Sequence, residues 1–521
     1  MDLHVVSKSL GIVAMLIGLS MALCVPWAFP ACSNTPSVEW KAVLALLGAM
    51  AISLILGAAL IFAGRRSATQ LFRREAFAIV GLGWCLATVL GAMPFLLSGT
   101  CKSHNDVPSS SGTTAGIRMN VVDALFESAS GFSGTGATVI TDLEDPQLVP
   151  RAVLFWRSAT HFLGGLGIMV LFVALLGLGS AGKALMRAEL PGPSKEMGQT
   201  RVQHAAWTFA AIYVGLNAVL TTLLLLQGVG LFDALCHAFG TIATGGFSTY
   251  NDSVGHFQSF TIEMTISAFM AISCINFALL YFAIVLRPGR LFRDVEFRAY
   301  ALILVTASVL AIGFGLYHGD FDGFPEAVRY GVFQVTSILT NTGFGTHDFD
   351  GWNEFGRGLL FVLMFIGGCA GSTSCSIKVV RHLILVRSLS LQVEQAYRPS
   401  VVRPLRLNGQ SVDPEVVREV IIYFAAFLVI VVTAWLLLLV FEPDATWQVP
   451  NGNPHEKLMD CASAVAATIN GVGPGLGTIG TTRDYAHFQP TTKLLLGFLM
   501  LLGRLEILPI IVLLTPRFWG R

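Results

Sequence analysis

Four stretches of this chain read alike: DALFESASGFSGTGATVIT from Asp123, FDALCHAFGTIATGGFSTY from Phe232, RYGVFQVTSILTNTGFGTH from Arg329 and LMDCASAVAATINGVGPGLG from Leu458. Each opens with a short run of small and apolar residues of helical character and closes on a glycine-containing stretch. Such a run is too short to cross about 30 Å of hydrocarbon, which takes about 20 residues of helix. The pattern is therefore a half-helix followed by a loop. Aligning the copies on a central glycine gives Gly136, Gly245, Gly343 and Gly473, preceded by Thr135, Thr244, Thr342 and Val472.

Each copy lies between two long apolar runs. Over 521 residues the hydrophobic fraction is 54% and the charged fraction 12%, about half the charge of a soluble domain. Apolar runs of spanning length occur near 9–29, 41–63, 75–98, 152–178, 206–228, 258–286, 298–317, 355–386, 418–441 and 490–515. The first follows only Lys8, has no small-residue cleavage site and precedes further spans, so it reads as a retained helix and not a secretory signal. Basic residues gather on every second loop: Arg65, Arg66, Arg73 and Arg74; Lys183, Arg187, Lys195 and Arg201; Arg287, Arg290, Arg293 and Arg298; Lys378, Arg381 and Arg387; Arg517 and Arg521. By the positive-inside rule these loops face the cytoplasm, together with both termini. The four repeated loops then lie on the outer side.

Irregular backbone at membrane depth survives only where protein or a water-filled cavity receives its amides and carbonyls. Four such loops must line one axis. Glycine opens backbone angles closed to other residues, so successive carbonyls can turn to that axis and replace a cation's water shell. The half-helices enter from outside and aim their C-terminal ends, each about half a negative charge, at mid-membrane. Both helices of a unit bracket its loop on the same side, so successive units are parallel, with the symmetry axis along the membrane normal. The expectation is an all-α polytopic membrane protein: two N-terminal helices (1–70) and four helix, pore-loop, helix repeats in pseudo-fourfold array (71–182, 183–290, 291–390 and 391–521). A monovalent cation is the ligand this arrangement suits.

Other function classes are excluded. The net charge of +1 hides a topogenic asymmetry and no basic patch is interleaved with aromatics, so nucleic acid is not a partner. Metal-ligand clusters and nucleophile–base constellations are lacking, so the chain is no enzyme and needs no covalent cofactor. The nine cysteines form no Cys-x-x-Cys pair. GLGSAGKA at 177–184 imitates a phosphate loop, but a membrane helix precedes it and Ala184 stands where Mg²⁺ needs a hydroxyl. The alternative within transport is a proton- or sodium-coupled secondary carrier. Such carriers favour inverted repeats and ionisable residues at the midplane, whereas these repeats are parallel and their loops nearly free of carboxylates.

Several single residues carry expectations. Arg504 lies deep in the last run, where a charge costs at least ~2.5–3.5 kcal/mol unless it meets water or a partner. Glu506, two positions on, is on another helix face and is not that partner. Gly367 to Ser376 is a run of small and polar residues inside a span, compatible with a break lining a cavity or with close helix packing. Asp142, Glu144, Asp145, Asp252, Asp348 and Asp350 follow the loops on the outer side as field-focusing groups or solvated loop charge. Asp123 and Glu127 hold the first half-helix, and His161 is a packing residue without assigned role.

On these residues, with FWRSATHFLGGLGIMVL from Phe155, PGPSKE from Pro191, FIGGCAGSTSCSIKVVR from Phe365 and LLGRLEILPIIVLLTP from Leu501, the chain resembles the TrkH and TrkG branch of the Trk, Ktr and HKT potassium-transporter superfamily over nearly its whole length. The resemblance implies K⁺ uptake across the bacterial inner membrane, with K⁺ as transported ligand. It implies a selectivity filter at Gly134, Thr135, Gly136; Ala243, Thr244, Gly245; Asn341, Thr342, Gly343; and Gly471, Val472, Gly473. It also implies a gating intramembrane loop at Gly367, Gly368, Gly371, Ser372, Thr373, Ser374, Cys375 and Ser376, with Arg504 projecting beneath the filter. Two departures stand out: Ser133-Gly134-Thr135 replaces a run of threonines, and Ser374, Cys375 and Ser376 occupy positions where the family has glycines. The resemblance further implies a homodimer and a cytosolic nucleotide-binding subunit of the TrkA type, docking on the basic segments 183–201 and 378–418.

Overall fold

The computed structural model describes residues 1–33, 37–66, 73–104, 116–176, 199–285, 289–401, 403–447 and 456–519. The GLGSAGKA and PGPSKE stretches and the docking segment 183–198 lie outside these residues.

Two helices, Leu3–Met21 (continued by a 3-10 turn to Ala28) and Trp40–Ala63, pack along each other and on the helix Arg73–Ser98. Four units follow, each an outer helix, a short half-helix and an inner helix. Their outer helices are Arg73–Ser98, Gln199–Leu226, Val295–His318 and Pro414–Phe441. Their half-helices are Val121–Ser133, Leu231–Ile242, Phe324–Leu339 and Glu456–Ile469. The outer helices of the last three units leave most of their apolar surface uncovered, whereas that of the first is largely buried against its neighbours. The half-helices are buried on nearly every face, Phe126 through Ser133 without exception in the first. Among the described residues the fold is all-α apart from two small two-stranded ribbons, Cys101–His104 with Gly116–Arg118 and Arg406–Leu407 with Gln410–Ser411. All nine cysteines are free thiols.

The ten apolar runs do not become ten straight spans. Among the described residues six helices are long and apolar enough to cross a membrane, and a seventh candidate is a pair bent by 107°. The inner helix of the first unit is the 26-residue Arg151–Leu176, while those of the other three are broken. The run 258–286 is Phe260–Ser273 and Phe277–Val285 with a bend at Cys274–Asn276; 355–386 is Glu354–Leu363 and Val379–Tyr397 around a loop; 490–515 is Pro490–Arg504 and Leu508–Leu514, broken at Leu505–Ile507.

Each break frees backbone groups that need partners at membrane depth. The breaks in the second and third units supply them to each other. Cys369 N–H donates to the Cys274 carbonyl (2.9 Å), Phe277 N–H to the Gly371 carbonyl (3.1 Å), and the Thr373 hydroxyl to the Ser273 carbonyl (3.2 Å). In the fourth unit Glu506 and Ile507 adopt φ of 56° and 64°, which turns Glu506 out of the helical path. It forms an ion pair with Arg381, whose guanidinium also lies 4.1 Å above the Tyr423 ring.

A candidate ion pathway ringed by four backbone turns

Each half-helix ends in the same way. Just past the helix the chain turns left-handed, at Gly134 (φ 70°) directly after the first half-helix and at Thr244 (52°), Asn341 (57°) and Gly471 (66°) two residues after the others. The N–H of the next residue reaches back five positions to close the helix: Thr135 to Ser130 (2.9 Å), Gly245 to Gly240 (2.7 Å), Thr342 to Ser337 (2.9 Å) and Val472 to Ala467 (2.8 Å). This is the helix-ending turn that satisfies the last carbonyls of a helix. Two residues after the turn the chain is left-handed again, at Gly136 (83°), Gly246 (77°), Gly343 (80°) and Gly473 (92°).

This geometry corrects the register of the second loop by one. Thr244-Gly245-Gly246 aligns with Gly134-Thr135-Gly136, Asn341-Thr342-Gly343 and Gly471-Val472-Gly473. Ala243 is still the end of its half-helix, and the Thr-Gly pair expected of three copies occurs in register only in the first and third. Gly245 is a glycine for a different reason. A Cβ there would lie 2.5 Å from the His161 ring, which is wedged behind the loop. His161 donates from Nδ1 to the Gly131 carbonyl (2.7 Å) and accepts the Phe247 N–H at Nε2 (3.2 Å), bridging the first and second turns. It is a positioning residue.

The four turns close into a ring. A side chain on Gly136 would collide with the carbonyl of Gly245, one on Gly246 with that of Thr342, one on Gly343 with that of Val472, and one on Gly473 with that of Thr135. The contacts run one to two to three to four and back to one. A vestibule above the ring is lined by Gly136, Gly246, Gly343 and Gly473, with Arg157 and Tyr485 in its wall.

Side chains hold each turn from behind. Glu127 accepts the Val139 N–H (3.0 Å), the Thr138 hydroxyl (2.9 Å) and Arg157 Nε (2.6 Å). Arg157 also donates to the Ser248 carbonyl (3.0 Å) and lies 3.4 Å over the Phe247 ring. Ser337 donates to the Phe344 carbonyl (2.6 Å), and the Tyr485 hydroxyl to the Gly473 carbonyl (2.7 Å). Asp123 forms ion pairs with Lys102 (3.1 Å) and Lys493 (2.7 Å), joining the first half-helix to the last inner helix. Arg157 and Tyr485 escape a reading of composition because each acts from outside its own turn.

The outer acidic residues spend their oxygens on loops. Asp142 accepts Asn251 Nδ2 (2.8 Å), Glu144 the Asn251 N–H (3.0 Å), and Asp350 the Gly477 N–H (2.9 Å). Burial beside Gly477, aided by the charge of Asp348, pushes the Asp350 carboxyl above its usual range.

Beneath the ring lies the loop of the third unit. Cys375 Sγ donates to the Ser133 carbonyl (3.5 Å) at the end of the first half-helix. The Ser376 hydroxyl contacts Asn470 Oδ1 (2.8 Å) at the end of the fourth. Ser374 Oγ accepts the Gly368 N–H (2.8 Å), and Lys378 donates to the Ser374 carbonyl. Gly367, Gly368, Gly371, Ser372 and Thr373 complete the loop.

Arg504 reaches it from the fourth unit. Its Nη1 donates to the Thr373 carbonyl (2.8 Å) and Cys375 Sγ (3.2 Å), and Nη2 to the Gly164 carbonyl (3.2 Å). Among the described residues it forms no ion pair with a carboxylate. Glu506 is committed to Arg381, and it is the break at Leu505–Ile507, not a helix face, that turns it there. No group of metal-ligating His, Cys, Asp and Glu is found among the described residues.

Comparison with known proteins agrees with this architecture. A family model described as TrkH, cation transport protein, matches residues 44–520. The Trk system potassium uptake protein TrkH of Vibrio parahaemolyticus is 36% identical over 473 residues, 90% of each chain. TrkG of Escherichia coli K12 is 33% identical over 460 residues, 87% of each chain. The crystal structure of the potassium transporter TrkH from Vibrio parahaemolyticus superposes with a TM-score of 0.84 at 32% identity, covering 100% of both chains. The chain is thus a polytopic membrane protein of a transport family, not an enzyme, and it belongs to the TrkH cation transport protein family.

Proposed function

We propose that this protein carries K⁺ into the cell through the ring of four turns, and that the ring is its selectivity filter. The observation that supports this most is the closed cycle of glycine-to-carbonyl contacts among Gly136, Gly246, Gly343 and Gly473. Glycine in all four positions leaves the backbone close to the axis, where carbonyl oxygens replace the hydration shell of an alkali cation. The ends of the half-helices add negative potential there. The filter strands are then 134–136, 244–246, 341–343 and 471–473. None of these residues carries a carboxylate, which favours passage down the ion's own gradient over proton coupling.

The loop Gly367–Ser376 is the gate. It spans the underside of the ring, with Arg504 fixing it and holding positive charge in the cation's path. Serine, cysteine and serine at 374–376 fasten it by side-chain bonds that glycines could not make. The units 71–182, 183–290, 291–390 and 391–521 act as the four quarters of one pore. We place the protein in the inner membrane with both termini cytoplasmic, as a homodimer. Relatives named for the Trk system suggest a cytosolic regulatory subunit of the TrkA type, which would meet the basic segment 378–418.

Growth of a bacterial strain lacking its own K⁺ uptake tests this reading. The parent chain restores growth at low K⁺ and Gly473→Ser does not, although the variant reaches the membrane. Growth with Gly473→Ser equal to the parent would overturn it.

A further inference from the structure

We infer that Glu296 is the latch of the intramembrane loop, and that the cytosolic hairpin Arg406–Ser411 is the handle that sets it. The inference rests on the reading of that loop as the gate. The helix Val379–Tyr397 resumes directly after the loop, and its first amides have no partner within the helix. Its N-cap residue is Lys378, which makes no capping bond from its side chain. The missing acceptor comes from the outer helix of the same unit. Glu296, in the first turn of the outer helix Val295–His318, takes the Val380 N–H on Oε1 at 3.1 Å. The same oxygen takes the Ala370 N–H at 2.7 Å. One carboxylate oxygen therefore ties the loop's descending arm to the helix on which the loop ends, and bolts both to the outer helix.

The outer helix is itself held from the cytosolic side. Its N-cap Asp294 accepts the Phe297 N–H with Oδ1 (2.9 Å), and Asn408 completes the cap. Asn408 Oδ1 takes the Val295 N–H (2.9 Å) and its Nδ2 donates to Asp294 Oδ2 (2.7 Å). Asn408 and Gly409 form the tip of the hairpin, at φ of 49° and 79°, the two-residue turn that Asn-Gly favours. The tip is exposed. Arg387, in the helix below the loop, donates to the Arg406 carbonyl and binds the hairpin's other arm. A force on the hairpin tip thus reaches Glu296 through the adjacent Asp294 and Val295, and from Glu296 it reaches the loop through one oxygen.

Charge is not what the latch needs; an acceptor at that distance is. Alanine at 296 releases both amides, whereas glutamine keeps an Oε1 that can receive them. At the tip, glycine in place of Asn408 keeps the left-handed turn and removes only the cap. The test uses the full chain in K⁺-loaded liposomes, reading basal K⁺ flux, the K⁺ over Na⁺ ratio, and hydrogen exchange of the 366–381 segment.

Glu296→Ala should raise basal flux roughly threefold or more, speed exchange in that segment and leave the ion ratio as in the parent. Glu296→Gln should return flux most of the way to the parental value. Asn408→Gly should raise flux in the same direction, and add little when combined with Glu296→Ala. If Glu296→Ala does not yield folded protein, Asn408→Gly decides alone, and parental flux in it overturns the inference. Arg504→Ala serves as reference for the gate. Raised flux in Arg504→Ala with parental flux in both Glu296→Ala and Asn408→Gly rejects the latch and keeps the gate. Parental flux in all three rejects both. A fall in the ion ratio with Glu296→Ala would show disturbance of the ring and also overturn the latch.

Discussion

The carbonyl oxygen of Val472 stands so close against the α-carbon of Gly343 that no side chain fits between them. The fourth turn and the third share a wall one backbone thick, and the same holds at Gly136, Gly246 and Gly473. On the proposed reading of the ring as a filter, its selectivity depends on carbonyls brought close by the absence of side chains at these four positions.

Gly246→Ser puts a Cβ at a φ of 77° and against the Thr342 carbonyl. The K⁺ over Na⁺ permeability ratio should fall by about tenfold, a difference of ~1.4 kcal/mol between the two ions. Bi-ionic flux in liposomes measures it, and an unaltered ratio removes Gly246 from the filter.

The Glu127–Arg157 pair is buried on both sides, at 0% and 2% side-chain exposure. Removing one partner strands a charge at a cost of about 3–5 kcal/mol. Glu127→Leu should lower the melting temperature in detergent sharply, and adding Arg157→Met should recover part of the loss. Equal melting of the single and double variants would mean that the pair is not coupled.

Arg504 holds the loop through the Thr373 carbonyl and carries the charge beneath the ring. Arg504→Ala should raise basal K⁺ flux by roughly tenfold through the lost barrier. Loss of folded protein without any rise in flux would assign Arg504 a structural role instead.

Asp350 Oδ1 holds the Gly477 N–H, while burial lifts its carboxyl above the usual range. A carboxyl raised on folding stabilises the protein below its unfolded value and loses that contribution as pH climbs through the raised one. The parent should therefore gain more thermal stability between pH 7 and pH 4.5 than Asp350→Asn, which keeps the acceptor without the titration. Parallel melting curves for the two proteins would contradict this.

The overall plan was legible because it repeats: four half-helices, each followed within a few residues by glycine, need a shared axis to receive their backbone at membrane depth. The register of the second copy was harder, since Thr244-Gly245 imitates the Thr-Gly of Thr135-Gly136 and Thr342-Gly343. The better guide was the next residue, as Gly246-Phe247 matches Gly343-Phe344. The break at Leu505–Ile507 is closed by local bonds and carried a signal in Pro509, which opens the next helix, whereas that at Cys274–Asn276 was hard to foresee because its freed backbone groups find partners in the distant loop of the third unit. Glu296 was invisible for the same reason, 74 residues before the first amide it holds. The hairpin at Asn408-Gly409 carried a plain local signal, but nothing nearby in sequence tells that its tip caps the helix at Val295.

Transport by purified protein in sealed liposomes, with the K⁺, Na⁺ and proton gradients set independently, decides whether the ring passes K⁺ by itself. K⁺ should move down its own gradient with no proton or Na⁺ gradient present, and faster than Na⁺ does under the same gradient. K⁺ that moves only when a proton or Na⁺ gradient is supplied would contradict the account.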